Sequence, residues 1–503
     1  MKLTVAPMAA PIVDPAAADV MPTLNSRQRP GAASDAPDPP DQPTTEVDMP
    51  RRPDSPSARL AALRLALVAA VGGFAPLAAA GLVVMHGYAD VTSALVWIQS
   101  DAPGPIRVTW RAEGDSGERT ATLDARAERE NVVVARLTGL SPGARASYVV
   151  EGDGERREGT ARAQPHWRDA KDAADITIAI GSCALLEDDD PRGRAAHPGG
   201  EHGIFDAIAA RQPDVMLWLG DNVYLRRPDL YDPAAMAARH KRQRGFGALQ
   251  RLLAATSHVA IWDDHDYGPN DADGSYPLKG EALRLFTLYW ANASFGLPGL
   301  PGIFGAAPYG DVDLVLLDNR YYRSHPKLPD GPDKGMFGAA QMAWLENVLL
   351  GARGRVKLVA GGSQFWNAAS RYEGLYQYPS EQKRLADFLL AARIDGLVFL
   401  SGDRHFGALL RVDRPGAYPL HEFTSSPLTS RPWEKPDAAE RENPQVVAGT
   451  LVGRRQFGLI RVTGPGDDRR VALESYDSAG ALLWRHELRA VDLRFPSSRP
   501  SAR

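Results

Sequence analysis

Side chains able to bind metals recur at five points of the sequence, each directly after an apolar run. The motifs are Gly181-Ser182-Cys183, Gly220-Asp221-Asn222-Val223-Tyr224, Asp263-Asp264-His265-Asp266, Gly361-Gly362-Ser363-Gln364 and Ser401-Gly402-Asp403-Arg404-His405. Taken singly, each has a common structural explanation, such as a turn aspartate, a buried hydrophobic cysteine or a hydrogen-bonded core histidine. Taken together, the acids would repel one another and raise each other's pKa unless a cation held them. The joint pattern therefore predicts a two-metal site.

The apolar runs before these motifs, with one further run over residues 314–317, predict the strands that position the motifs. Strands are predicted over residues 176–180, 215–219, 259–262, 314–317, 356–360 and 397–400. Helices are predicted between them, over residues 203–211, 339–351 and 380–392. Alternating strands and helices indicate an α/β core with buried strands, in which ligands bind at the carboxyl ends of the strands. Two later strands, over residues 457–462 and 471–476, are expected to close a sheet edge.

An earlier segment has a different period. From about residue 81 to residue 168, apolar and polar residues alternate in short runs separated by Gly, Pro and Asp turns. This pattern predicts a small β-sandwich. Residues 137–150 are similar to one corner of a fibronectin type III-like domain, and we expect the sandwich to pack on its neighbour without a site of its own. The α/β domain is expected over residues 174–490, with a disordered tail over residues 491–503.

The N-terminal residues are typical of an export signal. Residues 1–48 are rich in Pro, Ala, Asp and Thr and indicate disorder. Because an export signal should begin near the N-terminus, we expect translation to start at Met49. Residues 49–80 combine Arg51 and Arg52 with an apolar run that ends in three alanines, which predicts a cleaved signal peptide, with weak similarity to a twin-arginine signal. A membrane anchor is the alternative, but glycines and a proline interrupt the run before it reaches the ~20 residues of a span. The expected location is periplasmic or secreted.

The composition is ordinary for a globular protein of more than one domain. The chain has 503 residues, 44% of them hydrophobic and 24% charged, with a net charge of −4. Nothing in this balance points to nucleic acid or to a membrane surface as a partner. A single cysteine, Cys183, excludes an intramolecular disulfide, and a metal-bound thiolate would explain a lone thiol in an exported chain.

These motifs resemble the PhoD-like family of the calcineurin-like metallophosphoesterase superfamily, over residues 82–490. Supporting stretches are Asp318-Asn319-Arg320-Tyr321-Tyr322-Arg323, Gln341-Met342-Ala343-Trp344-Leu345 and Phe423-Thr424-Ser425-Ser426-Pro427-Leu428. The resemblance implies a four-layer α/β/β/α metallophosphatase core preceded by the sandwich. It also implies a phosphatase or phosphodiesterase activity.

The resemblance further implies the metals and their ligands. The metals would be Fe³⁺ and Ca²⁺, with other divalent metals as alternatives. A thiolate and a phenolate suit a polarising trivalent cation, and carboxylates suit calcium. The implied ligands are Cys183, Asp221, Tyr224, Asp264, Asp403 and His405.

A mechanism follows as a hypothesis. Asp221 would bridge the two metals, and a hydroxide activated by them would attack phosphorus in line. His265 protonates the leaving oxygen, with Asp263 or Asp266 orienting it. Arg320 clamps a non-bridging phosphoryl oxygen, although a structural salt bridge is an equal alternative for Arg320 and for Arg404.

Two rival functions remain open. One is a phospholipase D-like or cell-wall-polymer phosphodiesterase of the same fold, with its cleft shaped by residues 269–279 and 324–334. The other is a non-catalytic surface-binding protein, whose mark would be lost metal ligands. None of the six ligand positions is lost here. The sequence does not distinguish phosphate monoesters, diesters and lipids as substrates, and it does not indicate the oligomeric state.

Overall fold

The computed structural model of the chain describes residues 81–166, 173–186 and 200–496. The predicted disordered N-terminus and signal peptide, residues 1–80, lie outside the described residues, as do residues 497–503 of the predicted tail. Regular structure continues past residue 490, because Ala490–Leu493 forms a 3₁₀ helix in which Leu493 is buried.

The first part of the described chain is a sandwich of two antiparallel sheets. Its strands are β1 Val83–Ala89, β2 Ser93–Gln99, β3 Gly104–Ala112, β4 Arg119–Ala125, β5 Val132–Thr138, β6 Arg145–Gly152 and β7 Glu155–Arg162. A 3₁₀ helix, Ala127–Arg129, precedes β5. One sheet has the order β1-β2-β5 and the other β4-β3-β6-β7. Alternate residues such as Val108 and Val150 are fully buried between the sheets, which is why the sequence alternates with period two.

The second part contains two mixed six-stranded sheets. Its strands are β8 Ile176–Gly181, β9 Val215–Leu219, β10 Ser257–Ile261, β11 Gly305–Tyr309, β12 Val312–Leu316, β13 Val356–Ala360, β14 Leu397–Ser401, β15 Ala408–Val412, β16 Leu420–Thr424, β17 Gln456–Thr463, β18 Arg470–Asp477 and β19 Leu482–Arg489. The sheet orders are β10-β9-β8-β17-β18-β19 and β11-β12-β13-β14-β16-β15. Pairing is parallel from β8 to β10 and through β12, β13, β14 and β16, and antiparallel elsewhere.

Helices connect and cover these strands. They are α1 Ile204–Ala210, α2 Pro233–Arg244, α3 Gly247–Ala255, α4 Asp264–Tyr267, α5 Lys279–Tyr289, α6 Ala339–Gly351, α7 Pro379–Ala391 and α8 Ala438–Arg441, with 3₁₀ turns at Leu375–Gln377 and Gly466–Asp468. One continuous hydrophobic core joins both sheets with the apolar sides of the longer helices. Gly458 of β17 lies against Phe423 of β16, so the two sheets pack on each other.

The predicted strands before the metal-binding motifs coincide with β8, β9, β10, β12, β13 and β14 to within two residues at each end. The late strands, however, do not close an edge as expected. β17 pairs with β8 on one side and with β18 on the other, so it lies inside the sheet, and the edge strand is β19. An interior place explains why β17 is almost wholly buried.

The sandwich packs on the second part through aromatic and cationic groups. The indole nitrogen of Trp97 donates to the carbonyl oxygen of Leu288 at 2.8 Å, and the Arg244 guanidinium lies 5.7 Å from the ring centroid of Trp97. None of the helices in the described ranges has both the length and the apolar character that a membrane span requires.

Candidate metal centre

Four of the predicted ligand positions share an uncommon backbone conformation. Cys183, Asp221, Asp403 and His405 have φ values of 58°, 52°, 64° and 54°, in the left-handed region. Such a conformation costs on the order of 1–3 kcal/mol for a residue other than glycine and persists only where surrounding structure enforces it. Its repetition at the carboxyl ends of β8, β9 and β14 indicates that these turns are built to aim particular side chains at one place.

Two glycines of the motifs let these turns approach one another. A Cβ on Gly220, which has a φ of 95°, would lie 2.7 Å from the Cβ of Asp263. A Cβ on Gly402 would lie 2.6 Å from the carbonyl oxygen of Leu219 and from the Cβ of Ser182. The glycine before each aspartate therefore removes the side chain that would hold the strand ends apart.

The thiol, a carboxylate and a phenol meet at the end of β9. The Cys183 Sγ and the Tyr224 hydroxyl each lie 3.5 Å from Oδ2 of Asp221. The Ser426 hydroxyl donates to the Cys183 Sγ at 3.2 Å. All three predicted ligands are buried, so they form one continuous donor surface around Asp221.

Asp264 and His265 join the same group from the start of α4. One oxygen or nitrogen atom from each of Asp221, Asp264 and His265 lies within 4.8 Å of the others. The backbone N–H of His265 donates to Oδ1 of Asp221 at 3.2 Å and to Oδ1 of Asp264 at 2.9 Å. The N–H of Asp271 donates to the second oxygen of Asp264 at 2.8 Å, which fixes that carboxylate.

Asp403 and His405 approach from the end of β14. The carbonyl oxygen of Asp403 lies 3.7 Å from the Cys183 Sγ. Nδ1 of His405 lies 2.7 Å from the carbonyl oxygen of Arg431, so a proton on Nδ1 would be donated there. The lone pair of Nε2, which lies 3.4 Å from the Ser430 hydroxyl, would then serve as an acceptor or a metal ligand.

The Asp403 carboxylate groups with those of Asp263 and Glu373 within 4.8 Å, and Glu373 groups in the same way with Asp264, so Asp403 joins the acids beside the Cys183 group. His405 lines the same cleft as Asp403.

Burial raises the pKa of most acidic donors in this neighbourhood, whereas the charges of His265 and Arg320 overcome burial at Asp264 and lower the pKa of that carboxyl. Burial raises the pKa of the Cys183 thiol to about 12 and the pKa of Asp403 to about 7. Burial, followed by the charges of Asp264 and Cys183, raises the pKa of Asp221 well above its usual range. A bound cation would reverse these shifts by favouring the ionised forms. The donor set therefore fits metal ions. It consists of a thiol, a phenol, carboxylates and an imidazole, which lie close together with little positive charge among them.

Asp263 and Asp266, the residues suggested to orient His265, have other partners. Asp266 accepts the backbone N–H groups of Asn222 at 2.9 Å and Val223 at 3.0 Å, so it fixes the turn that carries Asp221. Oδ1 of Asp263 accepts the side-chain amide of Asn319 at 2.7 Å, and Oδ2 is buried without a hydrogen-bond partner among the described residues. The His265 ring instead stacks on the ring of Tyr224.

The Arg320 guanidinium is occupied by other residues of the protein, which contradicts its predicted role as a clamp on a phosphoryl oxygen. Its side chain is fully buried, with Nε 2.7 Å from Oδ1 of Asp263 and Nη1 3.0 Å from Oε1 of Glu373. Nη1 also donates to the carbonyl oxygen of Ala272 at 3.2 Å, and Nη2 contacts both carboxylates. All five donors are used, so the salt-bridge alternative describes this residue.

The Arg404 guanidinium is also bound by other residues of the protein. Its Nη2 donates to Oε1 of Glu440 at 2.8 Å, and both side chains are buried. Its guanidinium packs against the rings of Tyr372, Phe406 and Trp433. The structural alternative applies to this arginine as well.

Glu373 and Asp271 belong to the site but were not predicted from the sequence. Glu373 lies within 4.8 Å of Asp263 and Asp403 in one group of acids, and of Asp264 and Asp271 in another. Both residues lie in loops without apolar periodicity, so no strand pattern marked them. Ser426, which contacts Cys183, was visible only within a stretch that supported the family resemblance.

A cleft of about 490 Å³ opens above the centre. Asp403 and His405 line it, together with Asn270 and Asp271 from one loop and Arg371 and Tyr372 from another. Its size suits a small-molecule ester or the end of a polymer.

Comparisons with known proteins show similarity to phosphatases. Residues 298–464 match the family described as PhoD-like phosphatase. Alkaline phosphatase D of Bacillus subtilis (strain 168) is 25% identical over 266 residues, which cover 42% of this chain and 46% of that protein. The chain thus matches about half the length of that curated relative.

Two solved structures share the fold. A structure of PhoD superposes with a TM-score of 0.64 at 20% identity, covering 81% of this chain and 91% of that chain. The purple acid phosphatase PPD1 from yellow lupin (Lupinus luteus) seeds superposes with a TM-score of 0.57 at 10% identity, covering 84% and 78%. The resemblance to the PhoD-like family that the motifs predicted is confirmed by the family match and the curated relative.

Proposed function

We propose that this chain, which belongs to the PhoD-like phosphatase family, is a metal-dependent hydrolase of phosphoric ester bonds. The observation that carries the proposal is the convergence of Cys183, Asp221 and Tyr224 with Asp264 at the ends of separate strands. We further assign to the core the four-layer α/β/β/α arrangement and to the sandwich a fibronectin type III-like relationship, as the resemblance implies.

The donor set suggests how two cations would be shared. Cys183 and Tyr224 supply anionic thiolate and phenolate donors suited to a polarising Fe³⁺, and Asp264 supplies a hard oxygen suited to Ca²⁺. Asp221 lies between the two sets, and Asp403 and His405 complete them. When bound, such cations supply positive charge for the phosphoryl oxygens and activation of water.

The chain's own residues would act on the leaving group and on water access. His265 is held against Tyr224 and beside Asp264, which places its imidazole at the edge of the donor set. We assign it the transfer of a proton to the leaving oxygen. Burial of the surrounding acids keeps bulk water away from the reacting centre, which strengthens every electrostatic interaction there.

The substrate is assigned as phosphate monoesters, diesters or both. A cleft of about 490 Å³ accommodates either class. A lipid or cell-wall-polymer diester remains the alternative of the same fold, and a non-catalytic surface-binding protein is the alternative outside it. Export to the periplasm or medium is part of the proposal, and its signal lies in residues 49–80, outside the described ranges.

Metal analysis joined to a substrate panel tests the proposal. The full chain, purified and then stripped with chelator, should lose hydrolysis of p-nitrophenyl phosphate and bis-p-nitrophenyl phosphate and regain it with iron and calcium. A protein that binds iron yet hydrolyses neither ester, nor a lipid nor a teichoic-type polymer, would support the non-catalytic alternative. Full activity in metal-free protein would contradict the metal assignment.

A further inference from the structure

The cleft above the metal centre has one wall that the proposed chemistry leaves without a role. It consists of Arg371, Tyr372 and Trp433, which line the same cleft as Asp403 and His405. Tyr372 is 51% exposed, although most of its side chain is a large aromatic ring. We call these three residues the aromatic wall.

Arg371 is the available cation of this cleft. Arg320 and Arg323 both bind Glu373, and Arg404 binds Glu440. Arg371 is exposed, and within the described ranges its side chain has neither an ion pair nor a hydrogen bond. A guanidinium that is free, and that shares a cleft with a phosphoester site, is matched in charge to a phosphoryl oxygen.

A rigid anchor holds the loop that carries Arg371 and Tyr372. Glu373, the next residue, is buried, and its carboxylate lies 2.5 Å from Nη2 of Arg323 while also binding Arg320. The N–H of Leu375 donates to the carbonyl oxygen of Gln364 at 2.8 Å. The two exposed side chains therefore project from a fixed loop, and Arg320 acts as a positioning residue for it through Glu373.

The aromatic part of the wall is also fixed relative to the centre. The rings of Tyr372 and Trp433 meet edge to face, with centroids 5.4 Å apart and an angle of 84°. The backbone N–H of Trp433 donates to the carbonyl oxygen of His405 at 2.7 Å, which fixes Trp433 next to a predicted ligand. Arg404 packs behind the Tyr372 ring at 4.6 Å.

We propose that the aromatic wall selects phosphodiesters whose retained alcohol carries a planar ring, as in a nucleoside 5′-ester, with Arg371 binding a non-bridging oxygen and Tyr372 and Trp433 contacting the ring. This inference rests on the proposed phosphoesterase function and specifies its substrate class. An exposed aromatic corner beside a free arginine offers stacking and cation–π surface to a planar ring and charge to the adjacent phosphate. An aliphatic alcohol has no planar ring to stack, so the rings of Tyr372 and Trp433 would stay in contact with water.

Two diesters with the same leaving group test the selection. The metal-loaded full chain is assayed with thymidine 5′-(p-nitrophenyl phosphate) and with ethyl p-nitrophenyl phosphate, so that only the retained alcohol differs. The nucleoside ester should have the larger kcat/KM, by roughly tenfold for one stacked base. Tyr372→Leu and Trp433→Leu should each bring the ratio of the two values towards one. Arg371→Gln should raise KM for the nucleoside ester more than it lowers kcat, and Arg371→Lys should restore part of the loss.

A remote tyrosine serves as the matched control. Tyr231 is 66% exposed and does not line the cleft, so Tyr231→Leu should keep the wild-type ratio. In a second measurement that needs no variant, thymidine 5′-monophosphate should inhibit wild-type hydrolysis of the ethyl ester at lower concentration than inorganic phosphate. Equal kcat/KM for the two esters, or equal inhibition by the two anions, would overturn the proposed selection. Hydrolysis of the ethyl ester would still support the proposed phosphoesterase function. Hydrolysis of neither ester, nor of a monoester, would overturn both.

Discussion

The phenol ring of Tyr224 stacks on the imidazole of His265, with centroids 4.4 Å apart and planes inclined by 30°. The two residues come from separate turns, one after β9 and one at the start of α4. The stack links a predicted metal ligand to the predicted proton donor, so the orientation of the imidazole depends on the placement of the phenol. Asp263 and Asp266, the acids beside His265 in sequence, are occupied elsewhere.

His265→Ala should lower turnover by ~10²-fold or more, because general acid catalysis contributes about that much. Steady-state kinetics on p-nitrophenyl phosphate and metal analysis of the same preparation provide the measurement, with metal content expected to stay at the wild-type level. His325 is an exposed histidine and supplies the control, since His325→Ala should leave turnover unchanged. Wild-type turnover in His265→Ala would remove the residue from the acid role.

The thiol and the phenol can be tested by spectroscopy. Purified protein should contain iron and show a visible charge-transfer band from Cys183 and Tyr224, and Cys183→Ala or Tyr224→Phe should shift or abolish it. Tyr276→Phe is the matched control, because this buried tyrosine donates to the carbonyl oxygen of Leu230 at 2.8 Å, outside the donor set. Colourless, iron-free and fully active protein would refute the assignment of these two ligands.

Much of the scaffold could be read from the sequence because buried parallel strands leave a strong apolar signal. β9 and β13 have the predicted bounds, and the polar residues after them lie at the predicted sheet edge. The sequence pattern could not show that β17 lies inside the sheet, since an apolar strand has the same composition whether it pairs on one side or on both.

The site was predictable where a residue belongs to the turn that follows a strand. Cys183 and Asp221 do so, whereas Glu373 belongs to a loop whose place depends on tertiary contacts with Arg320 and Arg323. The role of Arg320 was misread for the same reason. Its position after β12 suggested an open sheet edge, but Asp263 and Glu373 enclose it from other parts of the chain.

Removing Arg320 should destabilise the protein strongly. Arg320→Met would leave Asp263 and Glu373 buried without their shared cation, a change that costs about 3–5 kcal/mol of unfolding free energy. Denaturant unfolding measures the loss. Lys383→Ala breaks an exposed pair with Asp387 and should cost less than about 1 kcal/mol. A cost of that smaller size for Arg320→Met would show that the buried network is not needed.

Glu422 should make stability fall as pH rises. It is fully buried on β16 and accepts the N–H groups of Phe365 at 2.9 Å and Trp366 at 2.8 Å. Burial raises the pKa of its carboxyl from 4.5 to about 7 in the folded protein, against the lowering effect of those hydrogen bonds. The folded state therefore holds the proton more tightly than the unfolded state. This contribution to stability is fully present below pH 4.5 and is lost as pH rises through about 7.

The Glu422→Gln variant isolates that contribution. The difference in unfolding free energy, variant minus wild type, should rise by about 3 kcal/mol from the low to the high end of this range, because each unit of pKa shift corresponds to about 1.4 kcal/mol. Urea unfolding in the presence of chelator measures it without a contribution from metal binding. Glu128→Gln removes one exposed negative charge and is the matched control for the same chemical change at the surface. A flat difference for Glu422→Gln would mean that the carboxyl ionises at its ordinary pH in the folded chain, so that its hydrogen bonds offset the loss of hydration on burial.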